Sequence, residues 1–110
     1  MIRPTTDLYS LMVFIGERYT FTNAHYPGIS QLTTEQKLVF IVRHSALHMM
    51  KSVGKIAAEA ESADHSGPMN EEQLRVATTK MLVNVLKLAQ ELGLSSDELA
   101  ARVPHVMKSV

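Results

Sequence analysis

Residues 33–62 read TTEQKLVFIVRHSALHMMKSVGKIAAEAES, a stretch with no proline and one glycine, Gly54. Thr33 suits an N-cap, and Gln36 stands where its side chain can reach back to the cap's own N–H, as in a capping box. Nothing stops a helix before about Ser62, so one helix about 43 Å long is expected at about 1.5 Å per residue. Gly54 is its only weak spot, and "ADHSGP" ends it.

At about 100° per residue, Leu38, Val42, Ala46, Met49, Val53, Ile56 and Ala60 form the middle of a broad apolar stripe. Lys37, His44, His48, Lys51 and Lys55 lie on the opposite side. No acid occurs between Gln36 and Ala58, and Lys51 and Lys55 are a like-charged i,i+4 pair, which costs helix stability. A solvated face is the ordinary explanation for charges at such spacing. An exposed helix usually interleaves both signs, however, so these cations call for neutralisation from elsewhere.

The rest of the chain supplies three more helices and few strand signals. The first is expected from about Thr6 to Tyr19, with Thr6 as N-cap and Asp7 in the first turn. Asn23, Pro27 and Gly28 then mark turns. Asn70 caps the third helix with Gln73 as reciprocal partner, and Gly93 closes it. A capping box from Ser95 to Glu98 opens a short fourth helix that Pro104 breaks or kinks.

On the third helix Leu74, Ala77, Met81, Val85, Leu88 and Leu92 make an apolar stripe, with Val76 and Val83 as a second edge. Lys80, Asn84, Lys87 and Glu91 lie to one side. The expectation is one all-α domain over residues 1–110, a helical bundle whose long second helix packs antiparallel to the third. Apolar faces this wide in so small a chain point to a homodimer that completes a four-helix core.

Bulk composition narrows the classes. A chain of 110 residues buries about two thirds of its unfolded surface, enough for a modest core. Eleven basic and eleven acidic side chains cancel, which gives no global field for nucleic acid or an anionic membrane. The absence of cysteine excludes disulfides, thiolate metal sites and a cysteine nucleophile. The apolar run Leu11–Ile15 is too short for a signal peptide, and nothing approaches the ~20 residues of a membrane span. A soluble cytoplasmic protein is expected, with no nucleic-acid or membrane partner.

"KSVGKIAAE" followed by "VATTKMLVNVLKLAQELGLSSDELAARV" resembles the two core helices of the MazG-like all-α nucleoside triphosphate pyrophosphohydrolases. The resemblance covers about Leu32 to Arg102. In that family the first helix carries Glu-Glu-x-x-Glu and the second Glu-x-x-Asp, ahead of a phrase like L-A-x-E-L-G-I. Laid over this frame, the first three acids fall on Lys51, Ser52 and Lys55, and the other two on Ala77 and Lys80. All five metal-binding carboxylates are replaced, three of them by lysine.

The resemblance implies a Mg²⁺ site that these residues cannot build, because Mg²⁺ takes carboxylate oxygens and three ammonium groups repel it. No Mg²⁺ cofactor and no catalytic residue are therefore expected. The expectation is a pseudoenzyme that binds a nucleotide or another phosphate-bearing molecule without metal. Its candidate anion face is Lys51, Lys55, Lys80, His44, His48 and Asn84. Protonation of His44 or His48 should strengthen binding below about pH 6.5.

Three alternatives stay open. The lysines can pair with Glu59, Glu61, Asp64, Glu71 or Glu72; hydrolysis of triphosphates can persist with relocated acids such as Glu59 or Glu61; or the chain can be a helical protein–protein interaction module. His44 and His48 have the i,i+4 spacing of metal ligands but lack a third ligand, and adjacent lysines disfavour a cation. Ser45 and Ser52 lack the elbow and oxyanion nest of a nucleophile. His25, His65 and His105 carry no pattern, and the methionines read as core filler.

Overall fold

The computed structural model describes residues 7–108. It is all-helical, with no strand among the described residues: α1 (Leu8–Arg18), α2 (Thr34–Asp64), α3 (Glu71–Glu91) and α4 (Ser96–Met107), plus a single 3-10 turn at Ile29–Gln31. The capping boxes at Thr33/Gln36 and Ser95/Glu98 are both complete. Asp7 caps α1 by accepting from the Ser10 N–H, so it precedes the helix instead of sitting in its first turn; Thr6 lies outside the described residues.

Asn70 caps α3 and accepts from the Gln73 N–H at 3.1 Å. Its own N–H goes to Glu59 on α2 at 2.6 Å, so a carboxylate from the preceding helix takes the place expected for Gln73. The α2 end is closed by Ser66 at φ 65°, a left-handed position usual for glycine, while the Gly67 N–H reaches back to the Ser62 carbonyl at 2.8 Å. Gly93, at φ 77°, closes α3 the same way, with the Leu94 N–H on the Ala89 carbonyl at 2.9 Å. Pro104 does not end α4, which continues through it to Met107.

Helices α2 and α3 form an antiparallel hairpin, the largest contact in the fold. Ile41, Ser45 and Ser52 on α2 and Ala77 on α3 are buried there. The small side chains at positions 45, 52 and 77 let the two backbones approach closely. This corrects the expected stripe centre: Leu38, Val42, Ala46 and Val53 are exposed, and the packed sector is turned from them by roughly 85° at 100° per residue.

A second packed face of α3 meets α1. Met12 and Ile15 bury against Leu86 and Ala89, with Leu94 and Leu99 closing the cluster from the α4 side. The Gln90 amide crosses over Gly16 and donates to the Met12 carbonyl. A Cβ at Gly16 would meet that amide at 3.0 Å, so the close approach uses the missing side chain. No helix among the described residues is long and apolar enough to cross a membrane.

Candidate functional site

The antiparallel hairpin leaves a cleft on one side, between α2, α3 and the segment that follows α1. Its volume is about 410 Å³. His44, His48, Lys51, Ser52 and Lys55 line it from α2, Lys80, Val83 and Asn84 from α3, and Tyr19 and Tyr26 from the α1–α2 connection. All six predicted residues of the anion face thus share one cleft. Lys37, placed on the same side by periodicity, does not reach it.

The wall is held by an aromatic cluster. Phe40 stacks on His44 at 5.7 Å, with Phe21 and Tyr26 edge-on to the same ring at 5.5 and 5.1 Å. The Tyr26 hydroxyl lies 3.1 Å from His44 Nε2. Such pairs are worth about 0.5–1.5 kcal/mol each beyond the area they bury, so the connection between α1 and α2 is pinned where it forms the cleft rim. Burial lowers the His44 pKa below its ordinary value, and the neighbouring His48 lowers it further.

On the α3 side the Tyr19 hydroxyl donates to Asn84 Oδ1 at 3.1 Å, and Asn84 Nδ2 donates to the Lys80 carbonyl at 2.9 Å. Burial raises the Tyr19 pKa, with Tyr26 adding to it, so this hydroxyl stays protonated. Lys87, only 6% exposed, pairs with Glu91 at 3.0 Å and points its ammonium at the Tyr19 and Phe21 rings from 5.9 and 5.6 Å. It braces the wall from behind and does not line the cleft.

The charge balance of the cleft is one-sided, since no Asp or Glu lines it. Four of the five acids offered as internal partners are engaged elsewhere: Glu59 with Asn70, Glu61 with His65 at 3.9 Å, Glu71 and Glu72 with Arg75 at 3.4 and 3.9 Å; the fifth, Asp64, ends α2 and does not line the cleft. Among the described residues, Lys51, Lys55 and Lys80 have no ion-pair partner. His44 and His48 stand with ring centres 4.4 Å apart, and no group of three or more His, Asp or Glu suited to a metal occurs among the described residues. Because the His44 pKa is depressed, its protonation falls below the ordinary value of about 6.5 assumed from sequence.

Sequence reasoning missed the contributions of Tyr19, Phe21 and Tyr26. Their signal was compositional: Tyr19, Phe21, Tyr26 and Phe40 come from a chain with only three tyrosines and three phenylalanines, and three of them fall within eight residues. Compared with known proteins, the chain matches no family model, no curated protein and no solved structure.

Proposed function

We propose that this chain is a MazG-like helical domain that has exchanged the family's acidic Mg²⁺ site for a cationic one, and that it binds a phosphate-bearing anion without metal. The observation that carries the reading is the composition of a single cleft: three lysines without an ion-pair partner among the described residues, two histidines and a buried asparagine, with no Asp or Glu in the lining. Four of the five positions onto which the resemblance lays metal-binding acids, Lys51, Ser52, Lys55 and Lys80, line that cleft, and Ala77 is buried beside it at 1% exposure. A carboxylate-free donor set does not fit Mg²⁺.

Ammonium groups supply directly the positive charge that a metal would bring to phosphate oxygens, each contact a charge-assisted hydrogen bond. Binding without turnover follows, because no carboxylate in the cleft holds a metal or activates a water. Glu59 and Glu61, the relocated acids of the competing hydrolase reading, lie outside the lining. Calorimetry with pyrophosphate, together with a phosphate-release assay over a panel of nucleoside triphosphates in Mg²⁺, tests the proposal. Binding without release supports it, and Mg²⁺-dependent release contradicts it.

The proposal includes a homodimer through the opposite side of the hairpin. There Leu38, Val39, Val42, Met50 and Val53 of α2, Val85 of α3 and its C-cap Leu92 are all exposed, Met50 to 68%. A monomer rarely leaves so many large apolar side chains on one side of a two-helix layer. The same observation supports the second reading, an interaction module whose partner covers this face.

A further inference from the structure

The two histidines of the cleft are not equivalent. His44 is committed: Phe40, Phe21 and Tyr26 enclose its ring, and its Nε2 faces the Tyr26 hydroxyl. His48 is exposed, its ring meets that of His44 at 4.4 Å, and neither of its nitrogens is hydrogen-bonded among the described residues. Lys51 and Lys55 follow it one and two turns along the same helix face, and Lys80 lines the cleft from α3. An unengaged imidazole lone pair therefore opens onto the same space as three ammonium groups.

An anion-binding cleft has no need of a nucleophile, whereas a phosphoryl-accepting one does. Building on the anion-binding reading, we propose that His48 is a site of covalent phosphorylation, taking a phosphoryl group from a small activated donor such as a phosphoramidate or an acyl phosphate. The lone pair of one His48 ring nitrogen attacks phosphorus and forms the N–P bond. The donor's own P–N or P–O bond breaks, and its electron pair leaves on ammonia or a carboxylate. The proton on the other ring nitrogen passes to the leaving group or to water, so phosphoramidate yields neutral-ring phosphohistidine and ammonium.

Nothing is oxidised or reduced, and no metal is required. The lysines neutralise the oxygens of the transferring group, which is where such reactions are stabilised. His44 is a positioning residue, held by its aromatic enclosure and packed against the attacking ring.

The chain carries its own controls in His25, His65 and His105, which are exposed and lie outside the cleft; His65 also faces Glu61. The test treats the whole protein with potassium phosphoramidate at neutral pH and follows acid-labile phosphohistidine by phosphorus NMR and peptide mass spectrometry. His48 is expected to react at least about tenfold faster than the three control histidines, an advantage of the size that positioned charge supplies. Lys51→Ala/Lys55→Ala should bring His48 down towards the rate of the controls, His48→Gln should abolish the fast phase, and His65→Gln should leave it intact.

Equal rates at His48 and the control histidines, fast modification of His44 in place of His48, or a fast phase surviving in His48→Gln would overturn the assignment. Pyrophosphate calorimetry on the same sample separates the two levels. Binding without selective phosphorylation removes only the acceptor role, and absence of binding removes the anion site beneath it.

Discussion

The Tyr26 hydroxyl stands 3.1 Å from His44 Nε2, and the two rings meet nearly edge to face at 5.1 Å. This contact ties the connection after α1 to the middle of α2, and it places a histidine with a depressed pKa at the cleft wall.

The first prediction is a titration. The folded chain resists protonating His44, chiefly through burial and then through His48. As pH falls below about 6.5, the unfolded chain takes up that proton first. The His44 contribution to stability is therefore intact above about pH 6.5 and is lost progressively below it, down to the folded pKa. NMR titration should show the His44 ring protonating below its ordinary value. Protonation at or above that value contradicts the packing described.

Ser45 gives a stability prediction. Its hydroxyl is fully buried in α2 and has no hydrogen-bond partner among the described residues. An unsatisfied buried polar group costs about 1–3 kcal/mol. Ser45→Ala removes it with little change in volume and should stabilise the fold by about 1 kcal/mol in urea unfolding. Destabilisation of that size would mean that the hydroxyl has a partner after all.

Much of the fold was legible in the sequence because helix ends are local. Thr33 with Gln36, Ser95 with Glu98, and Gly93 each act within a few residues of themselves, and all three are found in place. What misled was periodicity. It reports every apolar side chain on α2, both those packed on α3 and those left exposed, so its centre fell on Val42 and Val53 instead of on Ser45 and Ser52. On α3 the expected stripe left out Leu86 and Ala89, which pack on α1, and included Val85 and Leu92, which are exposed.

The cleft was half legible for the same reason. The faces of α2 and α3 gave Lys51, Lys55, Lys80, His44, His48 and Asn84, because helical spacing fixes which side chains share a side. Tyr19 and Tyr26 arrive from a connection with no period, through contacts distant in sequence such as Tyr19 with Asn84.

Glu59 separates two readings of one residue. Its carboxylate accepts the Asn70 N–H at 2.6 Å and stitches the α2–α3 hairpin. Glu59→Ala should lower stability by about 0.5–1.5 kcal/mol in urea unfolding, the size of one hydrogen bond. Triphosphate turnover present in the wild type and lost in Glu59→Gln would instead make Glu59 a relocated catalytic acid.

The apolar side of the hairpin predicts an oligomeric state. Light scattering should give a dimer at micromolar concentration, and Val42→Glu/Val53→Glu, both at exposed positions, should give a folded monomer. A wild-type monomer would remove the dimer and leave the interaction-module reading for this face.

Calorimetry with pyrophosphate at low ionic strength, with and without Mg²⁺, measures the anion site itself. Charge-assisted contacts are worth about 1.5–3 kcal/mol each when partly desolvated. Ordering a lysine side chain costs up to about 2 kcal/mol. Lys51, Lys55 and Lys80 are exposed, which weakens each contact further. Three such contacts less three ordering costs leave at most about 3 kcal/mol, a dissociation constant of several millimolar or weaker. The expected result is weak binding that Mg²⁺ does not improve and that Lys51→Ala/Lys55→Ala abolishes. Equal binding by both proteins, no binding by the wild type, or binding that requires Mg²⁺ would contradict it.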